Sequence, residues 1–280
     1  LDLSRKEVRE YMKKFIDDTL SCANISYVKW DMNRSVDNVY SAADPTLSQG
    51  AIRHKYVLGL YEVMEDMLTR HPDLLLEGCS GGGGRFDAGM LYYAPQIWCS
   101  DNTDAINRLT IQYGTSFFYP AGTMGAHVSA VPNHQTGRVT PFTTRGHVAL
   151  SGTFGYELDL NLVSAEEKQM VKEQLAEFDR YYELTHVGDY YRLARPSEAL
   201  MAWGFVAKDQ SRAMVTVVST DVEGNPLAQH VSVKGLAEGR NYRCSYNGIV
   251  HDGSVWNNCG LTLKKVLKEY ESLLIEWTEV

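Results

Sequence analysis

The chain has 280 residues, 44% of them hydrophobic, with a formal net charge of −8 and a pI near 5.5. That charge excludes the basic surface by which proteins hold nucleic acids or anionic membranes, and no apolar run approaches the roughly 20 residues of a membrane span. The five cysteines are odd in number and scattered, without zinc-ligand spacing, so a reduced, cytoplasmic protein without a metal is expected.

In chain order, the sequence opens without an initiator Met, directly on a helix start, and reads as a segment of a longer protein. Ser4 and Glu7 have capping-box spacing, and Val8, Tyr11, Met12, Phe15, Ile16 and Leu20 recur at helical period, predicting a helix over 5–20. A strand over 25–30 follows, then a loop over 35–50 and a helix over 51–70 stopped by His71-Pro-Asp73. Leu74-Leu-Leu-Glu-Gly-Cys79 has the continuous apolar character of a buried parallel strand. It runs into Ser80 and four glycines, 81–84, a costly run of backbone freedom that lacks the Lys-Ser/Thr of a phosphate loop. A strand over 94–100, a helix from a Thr103 cap, a strand over 124–129, a helix over 143–150, a strand over 154–158 and a helix from a Ser164/Glu167 capping box to about 184 complete the first part.

Strand and helix thus alternate five times between 25 and 185, the mark of a parallel α/β layer. Beyond about 188, short β-type runs at 190–193, 201–206, 213–218, 230–233, 242–244 and 273–277 alternate with turns such as Glu223-Gly-Asn-Pro226 and Asn247-Gly248, predicting a small antiparallel sandwich. The domain boundary is placed between 187 and 188.

Two strand ends carry chemistry. Lys29, Asp31 and Arg34 cluster after the first strand, and Trp98-Cys-Ser-Asp101 closes the third. Charges at the end of a buried strand are costly unless they are paired or used, and the C-terminal ends of barrel strands are where catalytic groups sit. Two carboxylates over one cleft suit a glycosidase, one attacking the anomeric carbon and the other protonating the leaving oxygen. Lys29 and Arg34 favour ionised Asp31 as nucleophile; the less polar approach to Asp101 favours a protonated acid. Asp87 and Asp104 compete, Asp87 as a partner of Arg85 and Asp104 as a helix-capping residue. The plainer readings are a structural Lys29–Asp31 pair and a Cys79 that is merely a small buried hydrophobe. His127, His134 and His147 are given no role.

Tyr27-Val-Lys-Trp-Asp-Met-Asn-Arg34, Cys79-Ser-Gly-Gly-Gly-Gly-Arg-Phe-Asp87 and Trp98-Cys-Ser-Asp-Asn-Thr-Asp104 together closely resemble the α-galactosidases of glycoside hydrolase family 36. The likeness continues through Arg108–Gly114 and Thr144–Asp159 and, more loosely, into the β-rich tail. The resemblance implies α/β architecture: a partial (β/α)8 TIM barrel, strands four to eight, followed by the antiparallel β-sandwich. It implies a retaining enzyme acting on terminal α-galactosyl groups, as in melibiose and raffinose, without cofactor or metal. Asp31 would be the nucleophile, Asp101 the acid/base, and Lys29, Asn33, Cys79 and Gly81 would bind substrate. The partners implied are α-galactoside oligosaccharides, with a homo-oligomer for the full-length protein. A raffinose-synthase-like galactosyltransferase and a non-catalytic carbohydrate-binding fragment are the alternatives; an N-acetylgalactosaminidase fits less well. With strands one to three absent, the isolated chain is expected to show an open sheet edge, exposed apolar surface and very low activity.

Overall fold

A computed structural model describes residues 1–34, 37, 39–196, 198–222, 224–225 and 228–280. Part of the 35–50 loop and of the 223–226 turn therefore lies outside the described residues. The chain forms two compact units, Leu1–Asp101 and Asn102–Val280.

The first unit is a βαβαβ layer. Its elements are α1 (Lys6–Leu20), β1 (Tyr27–Asp31), α2 (Gln49–Arg70), β2 (Leu75–Cys79), α3 (Ala88–Tyr93) and β3 (Gln96–Ile97). The three strands are parallel in the order β1-β2-β3, with Lys29 opposite Glu77 and Asp31 opposite Cys79. Strand alternation sorts β1 between two faces. Val28 and Trp30 join Met12, Ile16, Leu60, Val63, Met64 and Met67 in an apolar core against α1 and α2. Tyr27, Lys29 and Asp31 stand on the other face. The sequence-based helix start is corrected here: Ser4 bonds Asp2 instead of capping, and α1 begins after Arg5 without a side-chain cap. Ser48 caps α2 through Ala51 N–H. Tyr11 and Phe15 of the predicted stripe are exposed, stacked on each other, and Tyr27 and Leu75 are exposed on the opposite face of the sheet. The free side of β1 borders an apolar cavity of about 460 Å³ lined by residues such as Leu3, Met12, Ile16 and Trp30.

The second unit begins with α4 (Ala105–Thr115), a 3-10 turn (Ala121–Thr123), β4 (Gly125–Ser129), α5 (Phe142–Ala149), β5 (Thr153–Glu157) and α6 (Ala165–Val187). β4 and β5 pair in parallel, and the Ser164/Glu167 capping box opens α6. Asp104, rather than Thr103, caps α4 by accepting from Ile106 and Asn107 N–H. The tail contains β6 (Asp189–Arg192), β7 (Leu200–Val206), β8 (Arg212–Ser219), β9 (His230–Val231), β10 (Asn241–Cys244), β11 (Val250–Asp252), α7 (Gly253–Cys259), β12 (Leu261–Thr262) and β13 (Ser272–Glu279). Six strands make one antiparallel sheet, β11-β10-β13-β8-β7-β6, and β12-β9 make a two-stranded one. Val215, Val217, Ile275 and Trp277 of the large sheet share a core with Val231, Leu261 and Trp256. The second layer of the expected sandwich is therefore slight: two short strands and a helix.

His147 is buried within this unit, with Nδ1 2.8 Å from Ser272 Oγ, and burial holds its pKa down at about 4. The unfolded imidazole takes a proton near pH 6.5 and the folded one only near 4, so stability is lost as pH falls through that window. The expected loss is at most about 3 kcal/mol. Denaturant titrations of the wild type and His147→Gln between pH 4 and 7 check it; the variant should show the flatter dependence.

Candidate active site

The site grows from the ends of β1 and β2. Because side chains alternate, Lys29 and Asp31 share one face of β1, and Glu77 and Cys79 lie beside them on β2. Met32 N–H donates to Cys79 C=O, carrying the ladder one step past Asp31. The chain then turns so that Asn33 faces both strands: its Nδ2 donates to Asp31 Oδ2 at 2.9 Å, and its Oδ1 accepts from Gly81 N–H at 2.7 Å. One amide side chain thereby fixes the aspartate to the glycine loop.

The loop explains its own composition. Gly81, Gly82 and Gly83 have φ of +55°, +68° and +94°, a region side chains rarely adopt. A Cβ on Gly82 would lie 2.3 Å from Asp101 N, and one on Gly83 2.6 Å from Cys99 O. The glycines thus let the loop press its backbone onto residues 99–101, which brings the Asp101 segment to the structure that holds Asp31. Arg85 closes the loop beneath, donating to Met32 C=O, Ser80 Oγ and Arg34 C=O.

Gly82→Ala tests this contact. Ala must adopt positive φ and push the 100–101 backbone away; a displacement of about 1 Å at reacting groups costs on the order of 10²-fold in rate. Gly114→Ala, whose new Cβ meets nothing within 4 Å, serves as the control. In the full-length protein, kcat/KM should fall steeply for the first and little for the second.

Electrostatics follow burial. Burial pushes the Cys79 thiol up; the hydrogen-bonded Asp31 carboxylate pushes it the same way, while Gly82 N–H and the Lys29 charge pull it down. Cys79 thus stands as a protonated donor to Asp31. The Lys29 ammonium lies 3.5 Å from Glu77 Oε1 and 4.7 Å from the centroid of the Trp98 ring. Its closest carboxylate partner is on the neighbouring strand, which corrects the structural Lys29–Asp31 pair. Asp31 and Asp101 are both exposed, open to a ligand.

All six residues singled out in the sequence, Asp31, Asp101, Lys29, Asn33, Cys79 and Gly81, belong to this one unit. The two competitors have structural work. Asp87 caps α3 through Met90 N–H, while Arg85 is engaged elsewhere, so the expected Arg85–Asp87 pair is corrected. Asp104 is buried, caps α4 and pairs with Arg138 at 2.5 Å; its hydrogen bonds and that cation hold its pKa down against burial. Sequence reasoning missed Glu77 and Trp98. The signal for Glu77 was a carboxylate inside an otherwise apolar strand.

Residues 1–188 match the family model described as Melibiase, and residues 200–276 match the glycosyl hydrolase family 36 C-terminal domain. The chain belongs to the melibiase family. Among curated relatives, the bifunctional α-galactosidase/sucrose kinase AgaSK of Mediterraneibacter gnavus is 51% identical over 281 residues, spanning 100% of this chain and 29% of the relative. α-Galactosidase AgaA of Geobacillus stearothermophilus is 47% identical over 275 residues, spanning 98% and 38%. Among solved structures, a variant of AgaA in complex with raffinose matches with TM-score 0.96 at 46% identity, over 100% of this chain and 39% of that one. The chain thus spans less than two fifths of the length of these relatives, and over that length its fold matches theirs.

Proposed function

We propose that the chain is part of a retaining exo-α-galactosidase that removes terminal α-galactosyl groups from oligosaccharides such as melibiose and raffinose. In this reading residues 1–187 supply barrel strands four to eight and residues 188–280 the C-terminal β-domain. The observation that carries it is the link Asp31–Asn33–Gly81, continued by Gly82 pressed against Asp101 N. Two aspartates from non-neighbouring strands are thereby held at one loop, Asp31 through its side chain and Asp101 through its backbone; the retaining reaction needs their carboxyl groups about 5–5.5 Å apart.

The steps follow from these positions. Asp31 attacks the anomeric carbon as Asp101 gives its proton to the glycosidic oxygen; the C–O bond breaks and a galactosyl ester forms on Asp31. Asp101, now a carboxylate, takes a proton from water as that water attacks the same carbon and releases Asp31. Lys29 and Asn33 offer donors to sugar hydroxyls, the Cys79 sulfur lines the pocket as a weak acceptor while its S–H serves Asp31, and Gly81 leaves room for the ring to approach the backbone. No step calls on a metal or cofactor. Five free thiols support a reducing, cytoplasmic location, and a homo-oligomer of the whole protein rests on the family resemblance alone.

Turnover of an aryl α-galactoside by the full-length protein, followed by proton NMR, tests the proposal. α-Galactose should appear first and convert slowly to the β anomer. β-Galactose first, no turnover, or faster turnover of the N-acetylgalactosaminide would each contradict it. Product formation that grows with an added sugar acceptor at the expense of free galactose would favour the transferase.

A further inference from the structure

Glu77 is the most deeply buried carboxylate of the first unit, 2% exposed, on the same sheet face as Lys29 and Asp31. We propose that Glu77 is the positioning residue for Lys29, holding its ammonium at the mouth of the galactosyl site; this rests on the α-galactosidase reading above.

Lys29 and Glu77 are direct cross-strand neighbours, one layer below the Asp31/Cys79 pair. The Glu77 carboxylate is itself fixed. Tyr27 OH donates to Oε2 from one side, and Gln96 Nε2 donates to the same oxygen at 3.2 Å from the other. β1, β2 and β3 thus each contribute one group, leaving Oε1 turned toward Lys29 at 3.5 Å. The Trp98 ring beneath the ammonium supplies a second restraint. A lysine carries four rotatable methylenes, so an ammonium free at a site would sample many positions. Here it is pinned at two points, yet its side chain keeps 39% of its surface exposed, leaving donors for a hydroxyl. A carboxylate placed only for packing is costly in an apolar strand, and one that orients a ligand-binding cation has a reason to be there.

The test is a double-mutant cycle in the full-length protein, read as kcat and KM for an aryl α-galactoside. Glu77→Gln keeps the shape and removes the charge. It should lower kcat/KM about tenfold, mainly through KM, with an unchanged pH optimum. Lys29→Met should cost at least as much, and the double variant no more than Lys29→Met within about twofold, because Glu77 acts through Lys29. Multiplicative losses would overturn the proposal, as would an unchanged KM in Glu77→Gln. Should Glu77→Gln not fold, Tyr27→Phe, which loosens the same carboxylate, decides by the same criterion: its loss must vanish in the Lys29→Met background. Failure of the α-galactosidase reading looks different, since the wild type would then show no turnover, or Asp31→Ala would retain it.

Discussion

Asp31→Ala leaves the folded full-length protein with almost no turnover of an aryl α-galactoside, a loss of roughly 10⁴-fold or more in kcat, as expected when a covalent nucleophile is removed. The loss should be chemical and not structural. Asp31 ends β1 exposed, and Asn33 still bonds Gly81 without it, so the loop keeps its anchor. Cys79 loses an acceptor but stays buried. The diagnostic is rescue: azide enters the vacated space and attacks the anomeric carbon from the face Asp31 used. The product should be the β-galactosyl azide, inverted relative to the substrate. Melting temperature and azide product together separate a lost nucleophile from a damaged fold. Unaffected turnover in Asp31→Ala would remove Asp31 from the mechanism.

Asp101→Ala is the second large effect, and its size should depend on the leaving group. General acid catalysis contributes about 10²–10⁴-fold where the departing oxygen needs a proton. From raffinose and melibiose the departing groups, sucrose and glucose, are poorly acidic alcohols, so hydrolysis of these substrates should fall by that range. An activated nitrophenyl leaving group departs without help, so formation of the intermediate from it should change much less. Its hydrolysis should nonetheless slow, because Asp101 also activates water, and a burst of phenol should become visible. Alanine keeps the backbone N–H that faces Gly82, so the loop contact survives. Equal losses for both classes of substrate would argue against Asp101 as the acid/base.

The residues of the candidate site and the longer elements stand out in the sequence for physical reasons. Lys29 and Asp31 stand out because charge at the end of an apolar strand demands a use, and four glycines stand out because backbone freedom is costly. The reason for the glycines was not legible: only in three dimensions does Gly82 meet Asp101 N. Glu77 was passed over because one charge in an apolar run carries no partner in sequence; Tyr27, Lys29 and Gln96 come from two other strands. The long helices α2 and α6 span several helical turns and declare themselves. α3 has six residues and β3 two, too few for a period to show, so the predicted 94–100 strand shrinks to Gln96–Ile97. At α1, the Ser-x-x-Glu spacing was present but Asp2 took the serine, a local competition that spacing alone does not rank. In the tail, the predicted β-type runs fall on β6, β7, β8, β9, β10 and β13, while β11 at three residues, β12 at two and the short helix α7 fall below any pattern.

Trapping the intermediate tests the central claim most directly. Incubating the full-length protein with a fluorinated α-galactosyl substrate, whose ester hydrolyses slowly, and sequencing the labelled peptide by mass spectrometry should place one galactosyl group on Asp31. A label on Asp101 or on any other side chain, or steady turnover with no label at all, would contradict it.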